Sequence, residues 1–208
     1  MSGTKLKPPT ENQGPKGYGR NGEGPHEHSD EPFQTAKLGV WLAVGSITML
    51  FGALVMLYMV RHDERANYVF HPPVSMIFST GVLLISSFTL QKSLLAVRRN
   101  EQIQFLNLMF ATLLLGLLFL VSQFVGWTQL AQAGLFSPKN PFCVLFYVIT
   151  AVHALHLLAG LIWLSIVYRY ARQGVFTAKK HLAPELLAIY WHFMDGVWVV
   201  LFFMLWFF

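Results

Sequence analysis

The sequence predicts an all-α fold, an integral membrane bundle of five transmembrane helices. Of its 208 residues, 54% are hydrophobic and 12% are charged, whereas soluble domains carry about 25% charged residues. Five apolar stretches are each long enough to cross a bilayer, because a spanning helix needs about 20 mostly apolar residues. The mean hydropathy of +0.48 supports the same class, and in such a chain a net charge of +5 gives no reason to expect a nucleic-acid partner.

Residues 1–36 are predicted to form a disordered N-terminal tail. This part of the chain holds five prolines, several glycines and mixed charges, with almost no aliphatic residues. Such a composition cannot bury enough apolar surface to offset the entropy of the chain. We therefore expect residues 37–208 to form the one folded domain, a five-helix transmembrane domain.

Each predicted span has a recognisable boundary. A run of charged residues at 61–65 ends the first span, and two prolines at 72–73 open the second, as prolines do in the first turn of a helix. Pro184 opens the last span in the same way. The connections are short, so neighbouring helices are expected to be antiparallel. The predicted spans are 38–60, 74–97, 103–127, 142–168 and 184–207.

The distribution of basic residues predicts the orientation of the bundle. An odd number of spans places the N-terminal tail, the second loop and the fourth loop on one side of the membrane. That side holds twelve of the fifteen lysine and arginine residues. Because basic residues concentrate on the cytoplasmic side, the N-terminus is predicted inside and the C-terminus outside.

Polar residues inside the last two spans are the candidate functional residues. Glu185, His192 and Asp195 fall at i, i+7 and i+10, on one face of a helix. A carboxylate at the bilayer centre costs about 2.5 kcal/mol or more, so it normally faces the interior of a bundle. His153 and His156, three residues apart, lie at about the same depth as His192 and Asp195 by the 1.5 Å rise per residue. We therefore expect these five residues to form a buried polar cluster.

Three interpretations of this cluster are open from the residues alone. The polar groups can satisfy one another as structural contacts between helices, or form a proton path. Alternatively, His153, His156 and His192 can supply haem ligands, which would make the chain a stand-alone membrane b-type cytochrome.

Several ordered motifs resemble one family, subunit III of haem-copper cytochrome oxidases, in its five-helix bacterial form. The resemblance covers all five predicted spans and leaves out only the tail. The motifs are HALHLLAGLIWL at 153–164, PELLAIYWHFMDGVW at 184–198, LGVWLAVGS at 38–46, PPVSMIFSTGVLLISSFTL at 72–90 and LLLGLLFLVSQFVGW at 113–127.

The resemblance implies a non-catalytic subunit of an oxidoreductase complex in the inner membrane of a bacterium. Its partners would be the catalytic subunit I and subunit II of a cytochrome c oxidase, which hold haem and copper and receive electrons from cytochrome c. Related subunits serve quinol oxidases and some nitric oxide reductases, so these stay alternatives. No catalytic residue, metal ligand or cofactor is expected in this chain itself, and the haem interpretation is disfavoured.

The resemblance also implies that the subunit binds phospholipid and supports proton uptake. Arg169 and His181 fall where the family tends to hold lipid head groups, and an arginine at the end of a span suits a phosphate through charge-assisted hydrogen bonds. One position departs from the family pattern. Many members have a buried glutamate where this chain has Ile47, so a direct role of that carboxyl in proton uptake is not carried over.

Overall fold

The computed structural model describes residues 31–60, 74–132 and 141–207. Within these ranges all five helices are long and apolar enough to cross a membrane, which confirms the predicted all-α class. The predicted tail lies mostly outside the described residues, and its last six residues, from Glu31 on, belong to the first helix. The helices are α1 (Glu31–Val60), α2 (Val74–Arg98), α3 (Gln102–Leu130), α4 (Pro141–Arg172) and α5 (Leu182–Phe207).

Helices α2 and α3 form a closely packed antiparallel hairpin. Their buried positions alternate in steps of three and four residues, the spacing that keeps one seam facing a partner helix along its whole length. Small and hydroxyl-bearing residues occupy many of these positions and let the two backbones approach. The set is Met76, Ser79, Leu83, Ser86, Leu90, Ser93 and Val97 on α2, and Phe105, Met109, Thr112, Gly116, Phe119, Gln123, Gly126 and Leu130 on α3.

Hydrogen bonds between side chains cross this hairpin. The Gln123 amide nitrogen donates to the Ser79 hydroxyl over 2.7 Å, and the Thr89 and Thr112 hydroxyls lie 2.9 Å apart. Ser93 donates to the backbone carbonyl of Phe105 over 3.2 Å. Such bonds satisfy polar groups that have no access to water in a membrane.

The turn that joins α2 to α3 ends in a left-handed residue. Asn100 has a φ of 59°, and its N–H bonds to the Val97 carbonyl while the Glu101 N–H bonds to the Ala96 carbonyl. This is the Schellman arrangement, which satisfies the last carbonyl groups of a helix. Asparagine tolerates this conformation better than most residues do.

The loop between α4 and α5 is docked on that turn. Its Ala178 N–H donates to the Asn100 side-chain oxygen over 2.9 Å, and the Gln102 amide donates to the Phe176 carbonyl over 2.6 Å. The Phe176 ring meets the Phe105 ring edge-on, with centroids 6.4 Å apart. The inner loops predicted from the charge distribution therefore contact each other at one end of the bundle, here called the basic end.

Helix α5 occupies the centre of the bundle. It contacts α1, α2 and α4, and its Trp191 and Trp198 also reach Gly116 and Phe119 of α3. Of the five spans α5 is the most buried and α1 the least. Two indole N–H groups of α5 donate to hydroxyls of α2, from Trp191 to Ser86 over 3.2 Å and from Trp198 to Thr80 over 3.1 Å. These bonds fix the register of α5 on α2.

At Gly116, helix α3 lies close to α4 and α5. A Cβ atom built at this glycine would lie 2.7 Å from Leu161 Cδ2 and 3.0 Å from the Trp191 indole. At Gly81, by contrast, nothing lies within 4 Å of such an atom. Packing therefore requires a glycine at position 116 but not at position 81.

We predict that Gly116→Val destabilises the bundle by about 1–3 kcal/mol, the usual cost of overpacking a filled interior. Gly81→Val is the matched control, because it adds the same side chain where there is room for it. Thermal unfolding of the two purified variants in the same detergent measures the difference. An equal loss of stability in both would mean that β-branching, and not the helix crossing, is responsible.

Candidate functional site

The five residues predicted to form one polar cluster occupy three separate environments. His153 and His156 lie among aromatic rings on α4, His192 and Asp195 face α2, and Glu185 lies at the basic end. No hydrogen bond joins any two of the three environments within the described residues. These contacts therefore do not form the single hydrogen-bonded cluster that was expected from the matching depths. The depth of a residue along its helix does not determine the direction in which its side chain points.

His153 is enclosed by aromatic side chains from three other helices. Its ring centroid lies 5.0 Å from that of Trp198, 6.2 Å from Phe119 and 6.1 Å from Phe51. The residue is fully buried, and neither ring nitrogen has a hydrogen-bond partner in the described part of the chain. The imidazole thus packs as an aromatic ring at the meeting point of α1, α3, α4 and α5.

His156 is held mainly within its own helix. Its Nδ1 lies 2.8 Å from the Val152 carbonyl, to which it can donate. The backbone carbonyl of His156 accepts a bond from the Tyr190 hydroxyl of α5 over 2.9 Å. This histidine therefore contributes to the α4–α5 contact through its main chain, and its ring lies against Phe51 with centroids 5.8 Å apart.

His192 bridges two residues of α2. Its Nδ1 lies 2.6 Å from the Ser87 hydroxyl, and its Nε2 lies 3.1 Å from the Gln91 side-chain oxygen. A neutral imidazole donates from one nitrogen and accepts at the other, so the assigned arrangement has Nε2–H donating to Gln91 and Ser87 donating to Nδ1. Ser87 and Gln91, four residues apart on one face of α2, were missed by the sequence reasoning, although their spacing was visible.

Asp195 lies one turn after His192 and is only 4% exposed. Neither carboxyl oxygen has a hydrogen bond within the described residues. Because Gln91 and not Asp195 holds the far nitrogen of His192, this is not a Ser-His-Asp relay of the hydrolase kind. The arrangement holds α5 against α2.

Glu185 joins three helix ends at the basic end. Its carboxylate lies 3.8 Å from Arg98 of α2, 4.0 Å from Lys37 of α1 and 3.7 Å from His181 before α5. It is ten residues from Asp195, about 15 Å along the helix, so it does not belong with the buried groups. Each such partly exposed ion pair contributes about 0–1 kcal/mol.

The two predicted lipid-binding residues differ in their surroundings. His181 is half-buried and contacts Glu185, whereas Arg169 is exposed near the end of α4. Ile47 is buried in an apolar cluster with Phe51 and Met194. Within the described ranges no group of three or more His, Cys, Asp or Glu side chains is placed to hold a metal ion.

Comparison with known proteins identifies the family. The model of the cytochrome c oxidase subunit III family matches residues 68–208. The chain belongs to this family. It is a subunit III of the haem-copper oxidases and a multi-pass protein of the bacterial inner membrane, and it therefore has the catalytic subunits of an oxidase as partners.

Members with different electron donors are similar to the chain. It is 30% identical to cytochrome c oxidase subunit 3 of Thermostichus vulcanus, over 85% of this chain and 87% of the relative. It is 29% identical to cytochrome bo(3) ubiquinol oxidase subunit 3 of Buchnera aphidicola, over 82% of this chain and 90% of that relative. A probable cytochrome c oxidase subunit 3 of Mycobacterium tuberculosis is 30% identical, over 81% of this chain and 84% of that relative.

We predict opposite effects for two substitutions of His153. His153→Phe keeps an aromatic ring beside Trp198 and removes two unbonded polar atoms, so stability stays equal or rises, since burying an unpaired polar group costs about 1–3 kcal/mol. His153→Ala leaves a cavity and lowers stability by about 2–5 kcal/mol, as large core truncations do. Thermal unfolding in detergent measures both. A folded His153→Phe subunit that no longer joins the oxidase would show that the imidazole has a role beyond packing.

Proposed function

We propose that the chain is the non-catalytic subunit III of a proton-pumping cytochrome c oxidase in aerobic respiratory electron transport. It would stabilise catalytic subunit I and subunit II, which hold the haem and copper. The observation that carries this proposal is that the buried polar groups of α4 and α5 are used to pack helices. His192 is bonded to α2, and His153 is enclosed by aromatic rings.

We propose further that no haem is held in this chain. A bis-histidine haem site needs two imidazole nitrogens that face each other across a cavity. Both ring nitrogens of His192 are already engaged, so a haem held by His156 would find no second ligand in His192. Ligation by His153 would require the rings of Trp198 and Phe119 to move away. These contacts support the accessory subunit over a stand-alone b-type cytochrome.

A quinol oxidase subunit is the second candidate. The similarity to the bo(3) ubiquinol oxidase subunit is almost equal to that to the cytochrome c oxidase subunits. The electron donor is selected by the subunits that bind it and receive its electrons. The contacts within this chain concern helix packing and do not distinguish the two donors. We favour cytochrome c because the tryptophan-rich motif YWHFMDGVW of α5, at 190–198, resembles the cytochrome c type, and we keep quinol as the alternative.

The orientation proposed for the bundle places the basic end in the cytoplasm. All lysines and arginines of the described ranges lie in the half of the bundle where Glu185 pairs with Lys37 and Arg98. Basic residues favour the cytoplasmic side, so α1 would begin inside and α5 end outside. Support of proton uptake would be indirect, through the stability of the catalytic subunit, because Ile47 carries no proton.

Affinity purification from the native membrane tests the function. We expect a tag on this chain to retain haem-bearing subunits, and the complex to oxidise reduced cytochrome c faster than a ubiquinol in matched assays. The chain separated from that complex should show no haem absorption bands. Faster oxidation of ubiquinol would select the second candidate, and haem bands in the separated chain would support the b-type cytochrome instead.

We predict that Arg169→Gln lowers the number of anionic phospholipids retained per complex. The exposed guanidinium at the end of α4 can hold a phosphate with two donors, a geometry that lysine does not match. Lys179→Gln is the control, because it removes one charge from the same end of the bundle. Native mass spectrometry in one detergent gives the lipid counts. Equal counts in wild type and Arg169→Gln would leave Arg169 a topological role only.

A further inference from the structure

Two carboxyl groups of helix α5 lie in opposite surroundings. Glu185 is partly exposed, and its carboxylate lies within 4.0 Å of three basic side chains. Asp195 lies about 15 Å further along the helix and is buried, and neither of its oxygens has a hydrogen-bond partner in the described part of the chain. The ion pairs found among the described residues all belong to Glu185. Asp195 therefore lacks, within these ranges, the contacts that stabilise a negative charge.

The basic side chains of the neighbouring helices do not supply that charge compensation. On α2, Lys92 is exposed, and its ammonium lies 4.5 Å from the centroid of an aromatic ring on its own helix. On α4, the ring nitrogens of His153 have no hydrogen bond inside the described ranges, and His156 bonds to its own helix. On α1, Lys37 lies at the basic end beside Glu185. Helix α3 carries no charged residue at all.

His192 is the remaining base, three residues before Asp195 on the same side of α5. Its Nδ1 lies 2.6 Å from the Ser87 hydroxyl and its Nε2 lies 3.1 Å from the Gln91 oxygen. Neither nitrogen is thus bonded to the carboxyl. A neutral imidazole satisfies both contacts, with one nitrogen donating and the other accepting. The histidine therefore needs no proton from Asp195.

A carboxyl group in these surroundings is more stable with a proton than without one. An ionised carboxylate that is removed from water without a partner carries a large desolvation penalty, which such a group avoids by taking up a proton. The neutral acid keeps one O–H donor and its acceptor oxygens, and an unpaired neutral group is far less costly to bury than an unpaired charge. Burial and the absence of a cation in the described ranges therefore point to the same protonation state.

We propose that Asp195 is a closed proton-binding site. Its carboxyl is a neutral carboxylic acid in the assembled subunit, and it retains its proton without passing it to His192. A proton path would need a hydrogen bond from Asp195 to the line of Ser87, His192 and Gln91, and the described contacts contain no such bond. Helix α5 then crosses the membrane with a charged carboxylate at its beginning and an uncharged acid near its middle.

Infrared spectroscopy of the purified oxidase complex tests the protonation state. Aspartate labelled with a heavy carbon isotope in its carboxyl group identifies the bands of aspartate side chains. We expect a carbonyl stretching band of a neutral acid that shifts with the label and is lost in Asp195→Asn. Glu185→Gln, which removes the ion-paired carboxyl of the same helix, is the control and should leave that band unchanged. Loss of a carboxylate band in Asp195→Asn, with no neutral-acid band to lose, would overturn the proposal and show that a cation pairs with Asp195.

Transfer of the complex into heavy water tests whether the site is closed. The neutral-acid band should stay unshifted after the amide band of the solvent-exposed segments has shifted in the same sample. A shift as fast as that of those amides would overturn the closed site in favour of a proton path. If Asp195→Asn does not assemble, Asp195→Glu replaces it, because the band should then persist but no longer respond to labelled aspartate.

Discussion

Hydrogen bonds between α2 hydroxyls and α5 ring nitrogens are the contacts on which the bundle depends. Inside a bilayer a polar side chain that lacks a partner in the protein has none at all, and apolar contacts alone do not distinguish one helix neighbour from another. Three such bonds set the position and rotation of the central helix, and α1 and α4 then pack around it. The bonded pairs are Thr80 with Trp198, Ser86 with Trp191, and Ser87 with His192.

The number and class of the helices could be predicted because hydrocarbon allows few structures and demands long apolar runs. The positions of His192 and Asp195 along α5 followed from the helical rise. The contacts of these two residues could not be predicted, because the sequence of one helix does not show which neighbouring helix lies against its polar face. Serine hydroxyls are common in membrane spans, so Ser87 could be recognised only by its four-residue spacing from Gln91. The seven-residue spacing of Ser79, Ser86 and Ser93 was the signal that could have identified the α2 seam.

Two histidines of one short motif show how far neighbours decide the role of a residue. His153 lies inside an aromatic enclosure, whereas His156, one turn later, bonds to its own helix. The family match shows a subunit III, which has the catalytic subunits of an oxidase as partners. Its carboxylates are likewise divided, with Glu185 tying helix ends together and Asp195 buried beside α2.

The central position of α5 has a consequence for how the protein is made. Of the five helices described, α5 is translated after the other four. The hydroxyls of α2 therefore enter the membrane before their partners on α5 have been synthesised. The α2–α3 hairpin can close early through its own bonds, such as that of Gln123 to Ser79. The ion pairs of Glu185 with Lys37 and Arg98, by contrast, form only after α5 has been inserted. A ribosome that stops before residue 185 therefore leaves a fragment in which the α2 hydroxyls lack their partners on α5.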